Sequence, residues 1–193
     1  NENVSVFMEN MHAADLAAYI EPRTKVVAQF MPNDPYFNVQ WGLQKIQAEW
    51  AWNNTVGSRD ILVAVVDTGI DYRHPDLAAN YVPLGYDWAN DDPDPMDDFG
   101  HGTHVAGIIA ATLNNSIGVA GLAQVRIMAE KVLDYKGQGF TDWVAAGIIH
   151  AVDQGAKIIS MSFGGYEDSE IMHEAVRYAN RGGVLLVASA GND

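Results

Sequence analysis

The sequence predicts an α/β domain with a doubly wound, mostly parallel β-sheet and helices on both of its faces. Short apolar runs alternate with longer amphipathic segments along residues 61–188, and glycine often stands where a longer segment ends. This alternation is typical of strand–helix–strand units, whose crossover helices cover both faces of a parallel sheet. At 193 residues the chain is long enough for one such domain with an apolar core.

Seven segments carry this pattern. We expect strands at 61–66, 126–133, 157–161 and 184–188, and helices at 101–112, 141–154 and 169–181. Residues 1–30 differ in character, and there we expect a short strand at 4–7, a short helix at 13–19 and a strand at 25–30. The stretch 31–35 contains two prolines and is a predicted linker, which places a domain boundary near Phe30.

Composition excludes several classes of function. Asp and Glu number 25 against 11 Lys and Arg, and no basic stretch is present, so we expect no nucleic-acid partner. No apolar run is long enough to span a membrane, so we expect no membrane partner either. The absence of cysteine excludes disulfides, thiolate catalysis and cysteine-bound zinc.

The carboxyl ends of the predicted strands indicate where a site should lie, because parallel sheets bind ligands beyond those ends. Asp67 follows the first strand and could orient a histidine through its Nδ1–H. His101 begins the first long helix and could act as a general base. Each residue also has a structural interpretation, because Asp67 could serve the turn before Gly69 and His101 could simply start a helix. Asp71, within the turn, is the alternative to Asp67.

The histidines at 101 and 104 also have a spacing that suits two metal ligands. A catalytic zinc needs a third protein ligand, and the sequence has neither cysteine nor a His-Glu-x-x-His pattern to supply it. A metal-dependent hydrolase is therefore the weaker interpretation of this pair.

Three further loops follow predicted strands or lie near them. Asn192 comes after the last strand, and its amide could donate to a developing oxyanion, or it could belong to an Asn-Asp turn. The stretches 137–139 (Gly-Gln-Gly) and 162–164 (Ser-Phe-Gly) could pair with an extended peptide by strand addition, or they could be ordinary turns.

Two loops are rich in oxygen ligands. Six aspartates crowd one of them: Asp87, Asp91, Asp92, Asp94, Asp97 and Asp98. Carboxylates this close repel one another unless they are solvated or neutralised, and hard oxygen ligands suit Ca²⁺. The second loop, 113–119, contains glycine after a predicted helix and could direct several carbonyl oxygens inward, or it could be a plain connection.

Taken together, three motifs resemble those of the subtilisin-like serine proteases, and most closely those of the thermitase-like branch. They are 67–69 (Asp-Thr-Gly), 101–107 (His-Gly-Thr-His-Val-Ala-Gly) and 190–192 (Ala-Gly-Asn), and the resemblance extends over residues 34–193. It implies a serine endopeptidase that hydrolyses peptide bonds through an acyl-enzyme. In that enzyme Asp67 and His101 would belong to the triad, and Asn192 would be the oxyanion donor.

The resemblance also implies a polypeptide substrate and Ca²⁺ as cofactor. The implied substrate-binding residues are Leu133, Gly137 and Gly139 on one side and Ser162, Phe163 and Gly164 on the other. Phe163 stands where the family usually has leucine, which alters the shape of the pocket. One implied calcium site consists of Asp34, Asp76, Asn115, Ile117 and Val119. The other consists of Asp87, Asp92, Asp94 and Met96, the last through its carbonyl.

The sequence departs from the family pattern in its serines. The nucleophile of the family lies in a Gly-Thr-Ser motif beyond the oxyanion asparagine, and none of the serines at 58, 116, 160, 162, 169 and 189 stands in such a motif. We therefore expect the nucleophile outside this chain, on a C-terminal fragment, with the α/β domain incomplete at its C-terminus and this chain inactive alone.

The same resemblance predicts the domain organisation. Residues 1–30 would be the end of a propeptide, residues 31–193 would be the first part of the catalytic domain, and the enzyme would be a secreted zymogen. The alternative from another class is a non-catalytic subtilase fold that binds peptide or calcium.

Overall fold

A computed structural model of the chain describes residues 2–13, 21, 23, 30–165 and 167–192. In this part the helices are α1 (Glu2–Ala13), α2 (Trp41–Lys45), α3 (Ala48–Trp52), α4 (His101–Ala110), α5 (Thr141–Asp153) and α6 (Glu170–Arg181), with a 3-10 turn at Phe37–Val39. The strands are β1 (Leu62–Asp67), β2 (Tyr86–Asp87), β3 (Arg126–Lys131), β4 (Ile158–Met161) and β5 (Leu185–Ala188). None of these helices combines the length and apolar character needed to cross a bilayer.

The five strands form one parallel sheet in the order β2-β3-β1-β4-β5. The central strand β1 pairs with β3 on one side, where Asp67 lies opposite Lys131, and with β4 on the other. The chain therefore leaves β1 toward one edge of the sheet and later crosses to the other edge. The doubly wound parallel sheet predicted from the sequence is confirmed, and its reversal point lies at the end of β1.

Strand β1 is buried on both faces because helices cover both. Leu62, Ala64 and Val66 belong to a core that also contains residues of α5 and α6. Val63 and Val65 belong to a second core, which contains residues of α4. A continuous apolar run rather than strict alternation is what such a doubly covered strand requires.

A smaller third core lies beside the sheet. Phe37, Leu43 and Trp52 are buried in it, and the ring of Phe30 packs edge-on against Trp52 with centroids 6.0 Å apart. The Phe30 amide also donates to Asn53 Oδ1. Phe30 thus contacts the part of the chain that follows it, and the domain boundary predicted at this residue stays a prediction.

Several predicted elements differ from the structure. The strand expected at 4–7 is wrong, because these residues lie within α1; the stretch 2–13 has no glycine or proline, and this favours a continuous helix over a local β preference. The helix predicted at 13–19 and the strand predicted at 25–30 lie outside the described part except for one end residue each, Ala13, which ends α1, and Phe30. Helices α2 and α3 and the two-residue strand β2 were too short for periodicity to reveal.

Candidate active site

Asp67 and His101 form a hydrogen-bonded pair at the carboxyl end of β1. The Asp67 side chain is fully buried, and its Oδ1 lies 2.7 Å from His101 Nδ1. An ionised carboxylate only accepts hydrogen bonds, so Nδ1 carries the hydrogen and Nε2 is the basic nitrogen. The His101 side chain is 42% exposed, which leaves it accessible to a reacting group. Asp71, the alternative from the sequence, instead accepts a hydrogen bond from the Arg73 amide within the turn.

Gly102 allows the two elements to approach closely. A Cβ at this position would lie 2.1 Å from the Gly69 carbonyl oxygen and 3.1 Å from Asp67 Cβ. Only glycine therefore permits the start of α4 to sit against the turn after β1. Gly107, which belongs to the same motif, has no such role, because a Cβ there would meet nothing within 4 Å.

Asp97 contacts the residues around the pair. Its carboxylate accepts hydrogen bonds from Thr68 Oγ1 at 2.9 Å and from the amides of Gly100 and Thr103 at 2.8 and 2.9 Å. Burial by itself raises the pKa of the Asp97 carboxyl, but the hydrogen bonds outweigh burial and hold that pKa below its ordinary value. Asp97 is therefore an ionised acceptor at neutral pH.

Lys131 is buried at the end of β3, where its ammonium bonds three groups. Nζ donates to the carbonyls of Thr68 and Leu133, at 2.9 and 3.0 Å, and to Asp98 Oδ1 at 2.6 Å. A buried ammonium requires partners of this kind, because burying it alone costs several kcal/mol. One cation thereby holds the turn after Asp67 beside the segment that begins at Leu133.

A groove of about 740 Å³ lies between the loops after β3 and β4 and helix α6. Five of the six predicted substrate-binding residues line it: Leu133, Gly137, Gly139, Phe163 and Gly164. Ser162, the sixth, is not among the described residues that line the groove. The groove therefore brings the two segments together from separate parts of the sequence.

The two glycines of the first segment are fixed by sterics. Gly137 has a φ of +72°, and a Cβ on it would lie 3.1 Å from the ring of Phe99. A Cβ on Gly139 would lie 2.1 Å from the Val132 carbonyl oxygen. Asp134 closes the turn that contains Gly137 by accepting the amides of Lys136 and Gln138. The two glycines thus have a structural role in this segment, and that role is compatible with the predicted pairing of the stretch 137–139 with an extended peptide.

The end of β5 carries the last predicted site residue. Asn192 is exposed and follows Gly191, which has a φ of +91°. Ser189 Oγ donates to the Phe163 carbonyl at 3.3 Å, so this loop lies beside the one after β4. The oxyanion role of Asn192 stays a prediction.

Two buried carboxylates converge on the loop 113–119. Asp34 accepts the amides of Asn114 and Asn115, and Asp76 accepts Asn115 Nδ2 and the Val119 amide. Asp34 and Asp76 are 4% and 2% exposed, and neither forms an ion pair with a described cationic side chain. Buried carboxylates that share one loop and have no cationic partner fit a bound Ca²⁺.

The acidic loop divides into two groups. Asp87, Asp92 and Asp94 lie in one tight turn, in which the Asp87 and Asp92 backbones bond each other and the Asp94 amide donates to Asp92 Oδ1. Their all-oxygen donor set has the chemistry that Ca²⁺ prefers. Asp97 and Asp98 instead face Thr68 and Lys131. Two of the six aspartates therefore belong to the surroundings of the His101 pair.

The histidine pair at 101 and 104 is separated in the structure. His104 lines a different, larger groove of about 820 Å³ between α2 and α4, whereas His101 bonds Asp67. Across the residues that the structure describes, no three His, Asp or Glu side chains converge to hold a metal ion. A cation at either of the two oxygen-rich loops would thus need backbone carbonyl and amide oxygens as well.

A second carboxylate–imidazole pair lies away from the candidate site. Glu130 on β3 is fully buried, and its Oε1 lies 2.7 Å from His150 Nδ1 on α5, while Trp88 Nε1 donates to Oε2. Burial raises the pKa of Glu130, although the hydrogen bonds from His150 and Trp88 oppose this. The hydrogen bond with Glu130 raises the pKa of His150, against the effect of its own partial burial.

Sequence reasoning missed the side chains that surround the Asp67–His101 pair. Thr68 and Thr103 lie within the motifs, yet only their contacts in the structure indicate a role. Lys131 stands at the end of an apolar strand. Because a lysine is rarely buried without a partner, its position there indicates a specific partner. Asp97 was counted only as one acid among six.

The fold and this site define a class of protein: α/β domains with an Asp–His pair at the end of the central parallel strand. The family model described as the Subtilase family matches residues 58–193. This chain therefore belongs to the subtilase family, and the resemblance to its thermitase-like branch is confirmed.

The chain is also similar to individual relatives. It is 42% identical over 193 residues to the thermophilic serine proteinase of a Bacillus species, covering 99% of this chain and 48% of that protein. It is 49% identical over 165 residues to thermitase of Thermoactinomyces vulgaris, covering 84% of this chain and 58% of that protein. A solved protease structure from Pseudoalteromonas arctica superposes with a TM-score of 0.78 at 35% identity, covering 85% of this chain and 60% of that one. The chain spans about half the length of the curated relatives it matches.

Proposed function

We propose that this chain supplies the Asp–His part of a serine endopeptidase whose nucleophilic serine lies outside residues 1–193. The observation that carries the proposal is the Asp67–His101 pair, with a buried carboxylate 2.7 Å from Nδ1 of a half-exposed imidazole. Among the hydrogen bonds of the described residues, the His101 side chain has Asp67 as its partner and no serine. The basic Nε2 is thus available to a hydroxyl from elsewhere.

The proposed reaction is acyl transfer to serine followed by hydrolysis. His101 Nε2 takes the proton of the serine hydroxyl as the oxygen attacks the peptide carbonyl, and it then returns a proton to the leaving amine. Asp67 keeps His101 in the required tautomer and stabilises the imidazolium. Asn192 donates its amide to the oxyanion of the tetrahedral intermediate.

The groove of about 740 Å³ is the proposed site of the polypeptide substrate. Its two edges, 133–139 and 162–164, offer backbone groups to an extended chain, while side chains such as Met161 and Met172 supply apolar contact. Phe163 stands in one wall of the groove where the family usually has leucine, and we infer that its larger ring narrows the groove there. We expect this to favour smaller or flatter substrate side chains at that wall.

We propose calcium as a stabilising cofactor at the two oxygen-rich loops. Asp34, Asp76, Asn115, Ile117 and Val119 would hold one ion, and Asp87, Asp92, Asp94 and Met96 would hold the other. The bound ion would offset the repulsion of buried carboxylates and fix the loops. The support for the first site is that two buried carboxylates without a described cationic partner, Asp34 and Asp76, both bond the loop 113–119.

We also propose that residues 1–30 are the end of a propeptide and that the enzyme is secreted. Relatives bear names that state both compartments, such as "Minor extracellular protease Epr" and "Major intracellular serine protease", both of Bacillus subtilis. The support for secretion is the similarity to the Natrialba magadii relative named a halolysin-like extracellular serine protease, which covers 97% of this chain.

The test uses the longest natural form of the protein and a serine-directed phosphonate probe. We expect intact mass under denaturing conditions to show one covalent label on a serine outside residues 1–193, together with cleavage of a casein substrate. His101→Gln should abolish both, because the serine is then no longer activated. His104→Gln is the matched control, since it changes a histidine one turn away that lies in another groove.

Three outcomes would contradict the proposal. Equal labelling of wild type and His101→Gln would mean that His101 does not activate the nucleophile. No label and no cleavage would favour the non-catalytic fold that binds peptide or calcium. Cleavage that is lost to a chelator but insensitive to the phosphonate would instead indicate a metal-dependent hydrolase.

A further inference from the structure

One carboxylate contacts the residues next to both members of the Asp67–His101 pair. Asp97 accepts five hydrogen bonds, and their donors are Thr68 Oγ1, Phe99 N, Gly100 N, Thr103 N and Thr103 Oγ1, at 2.6 to 3.0 Å. Thr68 directly follows Asp67, and the other donors lie within two residues of His101. Asp97 itself touches neither member of the pair in these bonds.

The two threonine hydroxyls have fixed directions. Thr68 Oγ1 accepts the Gly102 amide at 2.9 Å and so points its hydrogen to Asp97 Oδ1. Thr103 Oγ1 accepts the Asp71 amide at 2.8 Å and points its hydrogen to Asp97 Oδ2. Each threonine hydroxyl thus accepts one backbone amide, from Gly102 of α4 or from Asp71 of the turn after β1. Each also donates to one oxygen of Asp97.

The amides of the first turn of α4 are satisfied by the same network. A helix leaves its first amides without intrahelical partners, and the residue before α4 is Gly100, which has no side chain to cap them. The Gly102 amide bonds Thr68 Oγ1, and the Thr103 amide bonds Asp97 Oδ2. The position of His101, the first residue of α4, is therefore set by Asp97 and Thr68.

We propose that Asp97 is a positioning residue, which holds the start of α4 and the turn after β1 in the one arrangement that places His101 Nδ1 on Asp67 Oδ1. The proposal rests on the proposed function only in giving that pair a catalytic use. Asp97→Asn turns one acceptor into a donor, and every group that faces the Asp97 carboxylate is itself a donor. An amide cannot satisfy that set, so the start of α4 must shift.

The test uses the longest natural form of the protein and follows the His101 Nδ1 proton by NMR, because a hydrogen bond to a carboxylate moves that resonance far downfield. We expect Asp97→Asn to lose the resonance or to move it upfield. Thr68→Val should have the same effect, and Thr68→Ser, which keeps the hydroxyl, should restore it. Asp60→Asn is the matched control, because Asp60 is an exposed aspartate that bonds only Ser58 among the described side chains.

Loss of the resonance in Asp97→Asn and Thr68→Val, with rescue in Thr68→Ser, would support the proposal. An unchanged resonance in a folded Asp97→Asn, even with a lower melting temperature, would overturn it, since Asp97 would then serve stability alone. If Asp97→Asn does not fold, the comparison of Thr68→Val with Thr68→Ser decides in the same way.

In the catalytically complete protein, we expect Asp97→Asn to lower kcat by about 10²-fold, because small misplacements of a catalytic group have effects of that size. KM should change little, since Asp97 does not line the substrate groove. The resonance could be present in the wild type and lost in Asp97→Asn and Thr68→Val, while the complete protein cleaves no peptide. That result would contradict the proposed function and leave the positioning role intact.

Discussion

Gly102 lies against Gly69, so close that a Cβ on Gly102 would stand 2.1 Å from the Gly69 carbonyl oxygen. The two glycines come from the two motifs that carry Asp67 and His101. Their contact is the place where the end of β1 and the start of α4 meet. The hydrogen bond of the pair is possible because this contact has no side chain in it.

Gly102→Ala should separate the two elements and lengthen the bond between Asp67 and His101. We expect a loss of about 1–3 kcal/mol in the free energy of unfolding, measured in urea, because the clash is with backbone. Gly107→Ala on the same helix is the control. A Cβ there meets nothing, so helix propensity should raise stability by about 0.5–1 kcal/mol. Equal effects of the two substitutions would contradict the steric argument.

Gly139→Ala should disturb the edge of the substrate groove. Its Cβ would stand 2.1 Å from the Val132 carbonyl oxygen and 2.9 Å from Leu133 Cδ2, so Leu133 must move. We expect weaker binding of a peptide inhibitor to the complete enzyme, measured as a rise in Kd of about tenfold or more. Gly164 lies across the groove, and a Cβ there would meet nothing within 4 Å. Gly164→Ala is therefore the control that tests whether any methyl group added to the groove weakens binding. A Kd that is unchanged in Gly139→Ala would contradict the prediction.

Calcium should stabilise the chain through the two oxygen-rich loops. An ion present at 100 times its Kd adds about 2.7 kcal/mol, which for a domain of this size is about 5–10 °C in Tm. We therefore expect Tm to fall by at least that amount when Ca²⁺ is replaced by a chelator, because both proposed sites are emptied, as measured by calorimetry. Asp76→Asn should lose the part of the calcium effect that belongs to the site at loop 113–119, whereas Asp60→Asn should keep the whole effect. Equal melting temperatures in calcium and chelator would refute the cofactor proposal.

The pair of Glu130 and His150 should make stability depend on pH. The pKa of each is raised in the folded chain, so the native state binds more protons than the unfolded state. The contribution of His150 is fully present below its unfolded pKa of 6.5 and is lost as pH rises through the higher folded value. Nearby Asp153 also favours the charged imidazole. The stability contributed by Glu130 should therefore fall as pH rises above its unfolded pKa of 4.5, and that contributed by His150 should fall as pH rises above 6.5.

The measurement is urea unfolding of wild type and His150→Gln across that pH range. At pH about 6 we expect the variant to be less stable by about 1–3 kcal/mol, because the buried Glu130 carboxylate loses a charged partner. The difference should shrink toward pH about 8.5. Glu130→Gln keeps an acceptor for Trp88 and should also flatten the pH dependence. A difference that stays constant with pH would exclude titration of the pair as its cause.

The sequence predicts features that depend on local residue patterns better than features that depend on contacts between distant segments. The strand at 61–66 and the helix at 141–154 are within a residue of their observed bounds, because a periodic apolar pattern is a local property. The predicted strand 126–133 is two residues too long, because the amides of Val132 and Leu133 both bond the Asp67 carbonyl instead of continuing the strand. Asp67 stands 65 residues before Val132, so no local pattern reveals this contact. The strand predicted at 4–7 failed because the preference of four residues does not outweigh that of the twelve-residue stretch around them.

The candidate site shows the same limit. Asp67 and His101 stand in motifs short enough to read, and the parallel sheet brings the ends of their elements together. Asp97, Thr68 and Lys131 form contacts between separate segments. No local pattern distinguishes an aspartate that bonds Thr68 from another aspartate of the same acidic loop. Composition reveals that charges are crowded, but only the path of the chain decides which of them meet.

Asp67 bonds in two directions. Its side chain bonds His101, while its carbonyl accepts the amides of Val132 and Leu133, where the proposed substrate-binding segment begins. If laboratory evolution of substrate preference moves the backbone at 132–133, it should therefore also move Asp67, the aspartate of the proposed catalytic pair. We expect such variants to lose turnover on every substrate, and lineages that change selectivity without that loss should keep this backbone and alter side chains at the opposite wall, such as Phe163.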